Sequence, residues 1–289
     1  MLIGMPTPLI NKDLNLRELK MINERISLSI KDGIANVVLS RADKMNAIDK
    51  KMFEALVQTG EQIKADKSIR VVVISGDGKA FCAGLDMGSF ASMLDPNAEQ
   101  KSIPLDLAKR TKGIANDVQY AVWVWREIEV PVIAAIHGVA VGGGFQIALA
   151  ADMRYAAPKT RFSIMEIKWG LVPDMSSTQL MRHLASEDVV RELTYTGRIF
   201  DADEAKEFGF VTKVVDQPLE HAMQIAEQIA AKNPHAIRAS KRIYNAANYM
   251  SEAEGLLMES EEQAKIIGKP NQMEAVMAEM QKRAPVFKD

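Results

Sequence analysis

Two stretches of this sequence end strand-like runs in glycine. They are "GDGKAFCAGLDMGSF" at 76–90 and "HGVAVGGGFQIALAADMRY" at 137–155, where Gly142, Gly143 and Gly144 lead at once into an Ala-rich apolar helix pattern. A strand, a glycine turn and a helix can seat a phosphate on the helix N-terminus. Small residues in the same place can instead let an acyl carbonyl approach the backbone, so that an N–H stabilises negative charge on its oxygen. Neither G-x-G-x-x-G nor G-x-x-x-x-G-K-[ST] occurs, so the dinucleotide and nucleoside triphosphate fingerprints are lacking. The carbonyl reading needs a second donor, and the dipeptide Gly84-Leu85 at the earlier strand end offers one. A third reading has the glycines only permitting close helix–sheet packing.

The surrounding pattern supplies a frame for such turns. "RISLSIKDGIANVVLS" (25–40) carries two alternating apolar runs around Asp32-Gly33, a hairpin signal. From Asp49, placed to cap a first turn, Met52, Phe53, Leu56, Val57 and Ile63 recur on one helical face. "RVVVISG" and "VPVIAAIHG" read as buried strands, and the alternation predicts α/β architecture. Between them, the segment around 88–112 reads as a long mobile loop. After residue 218 helical patterns alone follow, one opened by a Ser251/Glu254 capping box. The chain divides into an N-terminal arm (1–23), an α/β core (24–218) and a C-terminal helical segment (219–289).

Composition removes several functions. Thirty-six basic against 38 acidic side chains give a formal net charge of −2, with no field to gather nucleic acid or coat a membrane. The single Cys82 allows no internal disulfide, and four dispersed histidines give no metal-ligand spacing, which suits a reducing cytoplasm. Pro6, Pro8, Asp13 and Glu18 spoil a targeting signal, and no apolar run is long enough to span a bilayer.

"LSRADKMNAID" (39–49), "KAFCAGLD" (79–86), "PVIAAIHGVAVGGG" (131–144) and "FDADEAKEFGFVTKVV" (200–215) stand in the order in which the crotonase superfamily carries similar motifs. The chain resembles this enoyl-CoA hydratase/isomerase group over about residues 24–289. The resemblance implies a spiral of ββα units with a C-terminal helical trimerisation segment, assembled as a homotrimer or a hexamer. It implies a coenzyme A thioester as substrate, with no prosthetic group, no metal, no nucleic acid and no membrane partner. It also implies an oxyanion hole made by the N–H groups of Leu85 and Gly143. Lys44, Ala47 and Ala83 would meet the coenzyme, with Phe287 and Lys288 covering it from the C-terminal end.

The same resemblance sets the acid–base groups. Where hydratases of the family carry their first glutamate, this chain has Gln146, which cannot accept and return a proton. The second is retained as Glu166. Asp174 stands where the family's dienoyl-CoA isomerases carry an acidic residue, although those also have an aspartate where this chain has Gln146. The expectation is an enoyl-CoA or dienoyl-CoA double-bond isomerase with Glu166 as base. The alternatives are a hydratase adding water to a 2-enoyl-CoA, a non-catalytic acyl-CoA-binding member, and a thioesterase-like or decarboxylating member.

Simpler roles compete at each position. Asp174 precedes a helical pattern and could cap it. Glu166 could be half of a structural ion pair. Cys82 reads as a small core residue. Trp123 and Trp125 are open to core or acyl-tunnel roles, with core favoured, and Arg238, Lys241 and Arg242 read as a solvated helix face.

Overall fold

In the computed structural model, which describes residues 16–89 and 106–289, the first strand begins at Leu16. Strand β1 (Leu16–Ile22) pairs antiparallel with β2 (Ile26–Lys31), and β2 with β3 (Ile34–Leu39). The later part of the expected N-terminal arm is therefore an edge strand of the sheet. Its alternation is too weak to read in isolation, because pairing to β2 supplies what the side chains do not. The β2–β3 turn has Asp32 and Gly33 both at positive φ, 51° and 78°, the backbone that a two-residue hairpin requires.

From β3 onward the pairing within this sheet is parallel. Strands β4 (Val71–Gly76), β5 (Val132–Ile136), β7 (Met153–Ala156) and β10 (Lys213–Val214) complete a sheet of order β1-β2-β3-β4-β5-β7-β10. Strands β6 (Val139–Val141), β8 (Arg161–Ser163) and β9 (Phe200–Asp201) form a smaller sheet. Single bridges extend this second layer from Ala140 to Cys82 and pair Leu85 with Ile48. In two consecutive units, β5-β6 and β7-β8, the first strand enters the large sheet and the second enters the small one, and helices follow. That repetition is the ββα spiral.

Helix α1 (Lys50–Ala65) is capped by Asp49, whose Oδ1 accepts from Met52 N at 2.9 Å. It packs with α2 (Asp117–Glu127) over one face of the large sheet, in a core that includes Met52, Leu56 and Trp125. Helix α3 (Gly143–Leu149) is buried along its whole length. Its Phe145 meets Phe162, Phe200 and Phe210 edge-on at ring centroid distances of 5.7, 5.7 and 5.4 Å, geometry that adds to the burial of the rings. Helices α4 (Ser177–Met181), α5 (Glu187–Thr196) and α6 (Ala202–Glu207) follow.

Helix α7 (Pro218–Ala230) lays Ala222, Ala226 and Ala230 on the opposite face of the sheet, against Val71, Val73, Ile133 and Ala135. The first helix beyond residue 218 thus belongs to the α/β core. Helices α8 (Pro234–Ala247), α9 (Glu252–Ile266) and α10 (Pro270–Met280) complete the chain, and the Ser251/Glu254 capping box opens α9. Leu256, Leu257, Met273 and Met280 on the last two are exposed. No helix among the described residues is long and apolar enough to cross a membrane.

Of the basic run on α8 only Arg242 is exposed, where it pairs with Glu262. Arg238 and Lys241 are buried. Arg238 Nη2 donates to the carbonyls of Lys67 and Ile69, and Lys241 Nζ donates to Val130 O and Asp152 Oδ2, both at 2.8 Å. These carbonyls precede β4 and β5, where they lack sheet partners, so the cations supply the missing donors and fasten α8 to the core. Burial pushes the Lys241 ammonium below its usual range, opposed by the charge of Asp152. Trp125 is a core residue whose Nε1 donates to Ala121 O, and Trp123 packs against the same core. Cys82 is fully buried, its thiol pushed up to about 12 by burial. Most of the expected loop at 88–112 lies outside the described residues.

Candidate active site

Main chain builds one wall of the site. Ala83 N donates to Met45 O, Ile48 N to Gly84 O and Asp86 N to Ile48 O, a short parallel ladder between segments 45–48 and 83–86. Backbone groups of successive residues in such a ladder face opposite sides. With Gly84 O and Asp86 N turned toward Ile48, the Leu85 N–H turns away from it. On that far side lies the second glycine turn: a Cβ at Gly84 would sit 2.7 Å from Val141 O and 3.6 Å from Gly143 N. No side chain fits between these strand ends, and Gly84 also holds φ at 81°. Among the described residues neither Leu85 N nor Gly143 N donates to an acceptor, Gly143 being the first residue of α3. Because α3 has only seven residues, the N–H groups themselves matter here more than a helix dipole.

The three consecutive glycines divide their work. Gly142 has φ 52°, and a Cβ there would lie 3.5 Å from Glu166 Oε1. A Cβ on Gly143 would press on Ile48 Cδ1 and Met175 Sδ, two flexible side-chain ends at the cavity. Gly144 alone fits the close-packing reading, since a Cβ there would stand 2.3 Å from Cys82 O.

Side chains build the facing wall. Phe145 anchors the inner side of α3, and Gln146, one position around the helix, reaches the cavity. Its Oε1 accepts from Met175 N at 2.8 Å and from Ser177 N at 3.4 Å, which fixes the amide so that Nε2 donates to Glu166 Oε1 at 2.7 Å. Glu166 opens a 3₁₀ turn (Glu166–Trp169) just beyond β8 and is buried, yet Oε2 takes no hydrogen bond from the described residues. Among the described residues no cation pairs with it, so none of them makes the structural ion pair. Burial pushes the Glu166 carboxyl above the usual carboxylate range, and the charge of Asp174 adds to this. Its own N–H and the Gln146 amide oppose the rise. Burial raises Asp174 as well, against its own N–H. The residue before α4 is Ser176, at φ 73° with no side-chain cap, so Asp174 does not cap that helix.

Both walls line one cavity of about 970 Å³. Leu85, Gly143, Gln146, Glu166 and Asp174 all border it. The arrangement offers two N–H donors without an acceptor among the described residues and two carboxylates of raised pKa, groups suited to holding a carbonyl oxygen while a proton moves nearby.

The enoyl-CoA hydratase/isomerase family model matches residues 29–289. The chain belongs to that family. Carnitinyl-CoA dehydratase of Salmonella typhi is 33% identical over 274 residues, covering 92% of this chain and 99% of that protein. The mitochondrial Δ(3,5)-Δ(2,4)-dienoyl-CoA isomerase of Mus musculus is 33% identical over 218 residues, 74% of this chain and 66% of its own. Among solved structures, an enoyl-CoA hydratase from Bacillus anthracis superposes with a TM-score of 0.80 at 30% identity, covering 91% of this chain and 99% of that one. Relatives thus include isomerases and hydratases, and family members act on coenzyme A thioesters.

Lys44, Ala47 and Ala83 border the cavity with Leu85. Phe287 and Lys288 do not. Arg70 Nη2 donates to Phe287 O, and Asn271 exchanges two hydrogen bonds with the backbone of Lys288, so the C-terminal tail is tied to the body of the chain away from this cavity. Asn46 is a residue the motif reading passed over. It is fully buried at φ 56°, and its Nδ2 donates to Asp77 O, Ala80 O and Phe81 O, stapling the loop before α1 to the loop that carries Leu85. Its signal is an asparagine in a turn without glycine, since asparagine tolerates left-handed backbone.

Proposed function

We propose that this protein moves a double bond in an enoyl-CoA or dienoyl-CoA thioester, with Glu166 as the base. The Leu85 and Gly143 N–H groups receive the thioester oxygen as charge develops there. Removing one such donor from other enzymes costs roughly 3–4 kcal/mol of barrier. Glu166 Oε2 takes a proton from one carbon of the acyl chain, giving an enolate or dienolate. A proton returns at another carbon, from Glu166 itself or, over a longer conjugated span, from Asp174. Burial raises both carboxyls, and the charge of Asp174 raises Glu166 further.

The observation that carries this reading is the locked Gln146 amide. With Oε1 held by Met175 N and Nε2 directed to Glu166, it orients the base and has no proton to exchange. Water addition in this family's manner would need a second carboxylate at that position. A panel of 2-enoyl, 3-enoyl and 3,5-dienoyl-CoA thioesters, followed by ultraviolet absorbance, tests the reading. Migration of the double bond in the 3-enoyl or 3,5-dienoyl substrate is the expected result; efficient hydration of 2-enoyl-CoA without any migration replaces it with the hydratase reading.

The exposed Leu256, Leu257, Met273 and Met280 on α9 and α10 support a further part of the proposal, assembly as a homotrimer or a hexamer of paired trimers. Sedimentation showing only monomer at micromolar concentration counts against it.

A further inference from the structure

We propose that Arg41 is a positioning residue of the reaction: with Asp86 it forms an ionic clamp that holds the Leu85 N–H in register with the Gly143 N–H. This rests on the oxyanion assignment made above. Asp86 directly follows the donor residue. Its Oδ2 accepts from Arg41 Nη1 at 2.8 Å and its Oδ1 from Gly88 N at 2.8 Å, while its own N–H donates to Ile48 O. Both carboxylate oxygens and the amide are therefore committed, and the peptide plane joining Leu85 to Asp86 has little freedom to turn.

The guanidinium works on both strands of the ladder at once. Arg41 Nη1 also donates to Ala47 O at 2.9 Å, so one nitrogen ties segment 45–48 to segment 83–86. Arg41 is fixed in turn. Its N–H donates to Asn46 Oδ1 at 2.8 Å, and Asp49 Oδ2 lies 3.6 Å from Nη1. Asp49 is itself gripped by Arg25 and by the first turn of α1. The chain Arg25–Asp49–Arg41–Asp86 runs from the start of β2 to the oxyanion segment with every side chain at most 21% exposed. The rigidity of the hairpin and of α1 is thereby transmitted to one N–H group.

There is an electrostatic side to the same contact. A carboxylate one residue from the donor would oppose negative charge growing on the thioester oxygen, and Arg41 neutralises it. Both effects fall on the transition state more than on the bound substrate. A small displacement of a donor in such a site costs up to about 10²-fold in rate.

The test reads the thioester carbonyl directly. Infrared difference spectra of carbonyl isotope-labelled hexanoyl-CoA, a saturated thioester with no double bond to move, are taken on the wild-type protein, Arg41→Met, Arg41→Lys and Asp86→Asn. The wild type is expected to lower the carbonyl stretch through its two donors. Arg41→Met and Asp86→Asn should each lose part of that shift and about 10- to 100-fold in kcat, with KM nearly unchanged. Arg41→Lys should restore part of both. The double variant Arg41→Met/Asp86→Asn should lose no more than Arg41→Met alone, because the two side chains form one contact. A full carbonyl shift and normal kcat in folded Arg41→Met and Asp86→Asn overturn the clamp while leaving the oxyanion assignment intact. A loss confined to KM also overturns it, making Arg41 a residue of the coenzyme mouth. A wild-type spectrum with no shift removes the oxyanion assignment, and the clamp with it.

Discussion

The two walls of the cavity are made of different material. On one side Leu85 and Gly143 offer main-chain N–H groups, held by a backbone ladder and by glycines where no Cβ fits. On the other, Gln146, Glu166 and Asp174 offer side chains, held by a single fixed amide and by burial. The first wall depends on where the chain goes and tolerates many side-chain identities, so it can serve any reaction that passes through a thioester enolate. The second depends on which side chain stands at each position. On the proposed function, reaction type belongs to the second wall and thioester chemistry to the first.

Removing the base strikes the side-chain wall hardest. Glu166→Gln keeps the shape and loses the proton acceptor, and turnover on the active substrate of the panel should fall by ~10²–10⁴. Near-normal turnover would move the base elsewhere, with Asp174 next in line. The backbone wall should respond somewhat less to Gly143→Val, which pushes on Ile48 Cδ1 and Met175 Sδ at the cavity, with a loss of about 10²–10³ in kcat if one donor is displaced. Gly144→Ala provides the contrast. Its Cβ meets the unyielding Cys82 carbonyl, so the expected damage is a lower melting temperature rather than a selective loss of turnover.

Smaller changes separate the parts of the side-chain wall by sign. The Gln146 amide lowers the Glu166 pKa and the Asp174 charge raises it. A base works deprotonated, so activity climbs with pH through that pKa. Gln146→Ala should move the acid limb of kcat/KM to higher pH, and Asp174→Asn should move it to lower pH. Shifts of the same sign in both variants would show that the limb belongs to another group. Asp174→Asn should also cost more on 3,5-dienoyl-CoA than on 3-enoyl-CoA if it serves the longer proton transfer.

The smallest expected effect is on stability. Because the Glu166 pKa is raised in the folded state, its contribution to stability is fully present below the unfolded value of about 4.5 and is lost as pH rises through the folded value. Glu166→Gln should therefore melt close to the wild type near pH 4 and above it at pH 7. A wild type that gains on the variant with rising pH would mean that the carboxylate has a partner in solution.

The amino-acid sequence by itself determined what local chemistry determines. The Asp32-Gly33 hairpin, the Asp49 cap and the Ser251/Glu254 box each involve residues at most three apart, and all three formed as their spacing requires. Four collinear motifs also carried the family, because they hold the turns that its backbone wall needs. Tertiary structure alone decided the rest. Arg238 and Lys241 look like a solvated face until the unpaired carbonyls before β4 and β5 come against them. Asp174 looks like a helix cap until the chain turns at Ser176 and leaves it beside the cavity. Gln146 could have been a spare amide in any orientation; Met175 N, 29 positions away, fixes which end meets Glu166. Spacing along a chain sets hydrogen bonds within a turn, whereas the direction of a buried polar group is set by whichever distant backbone satisfies it.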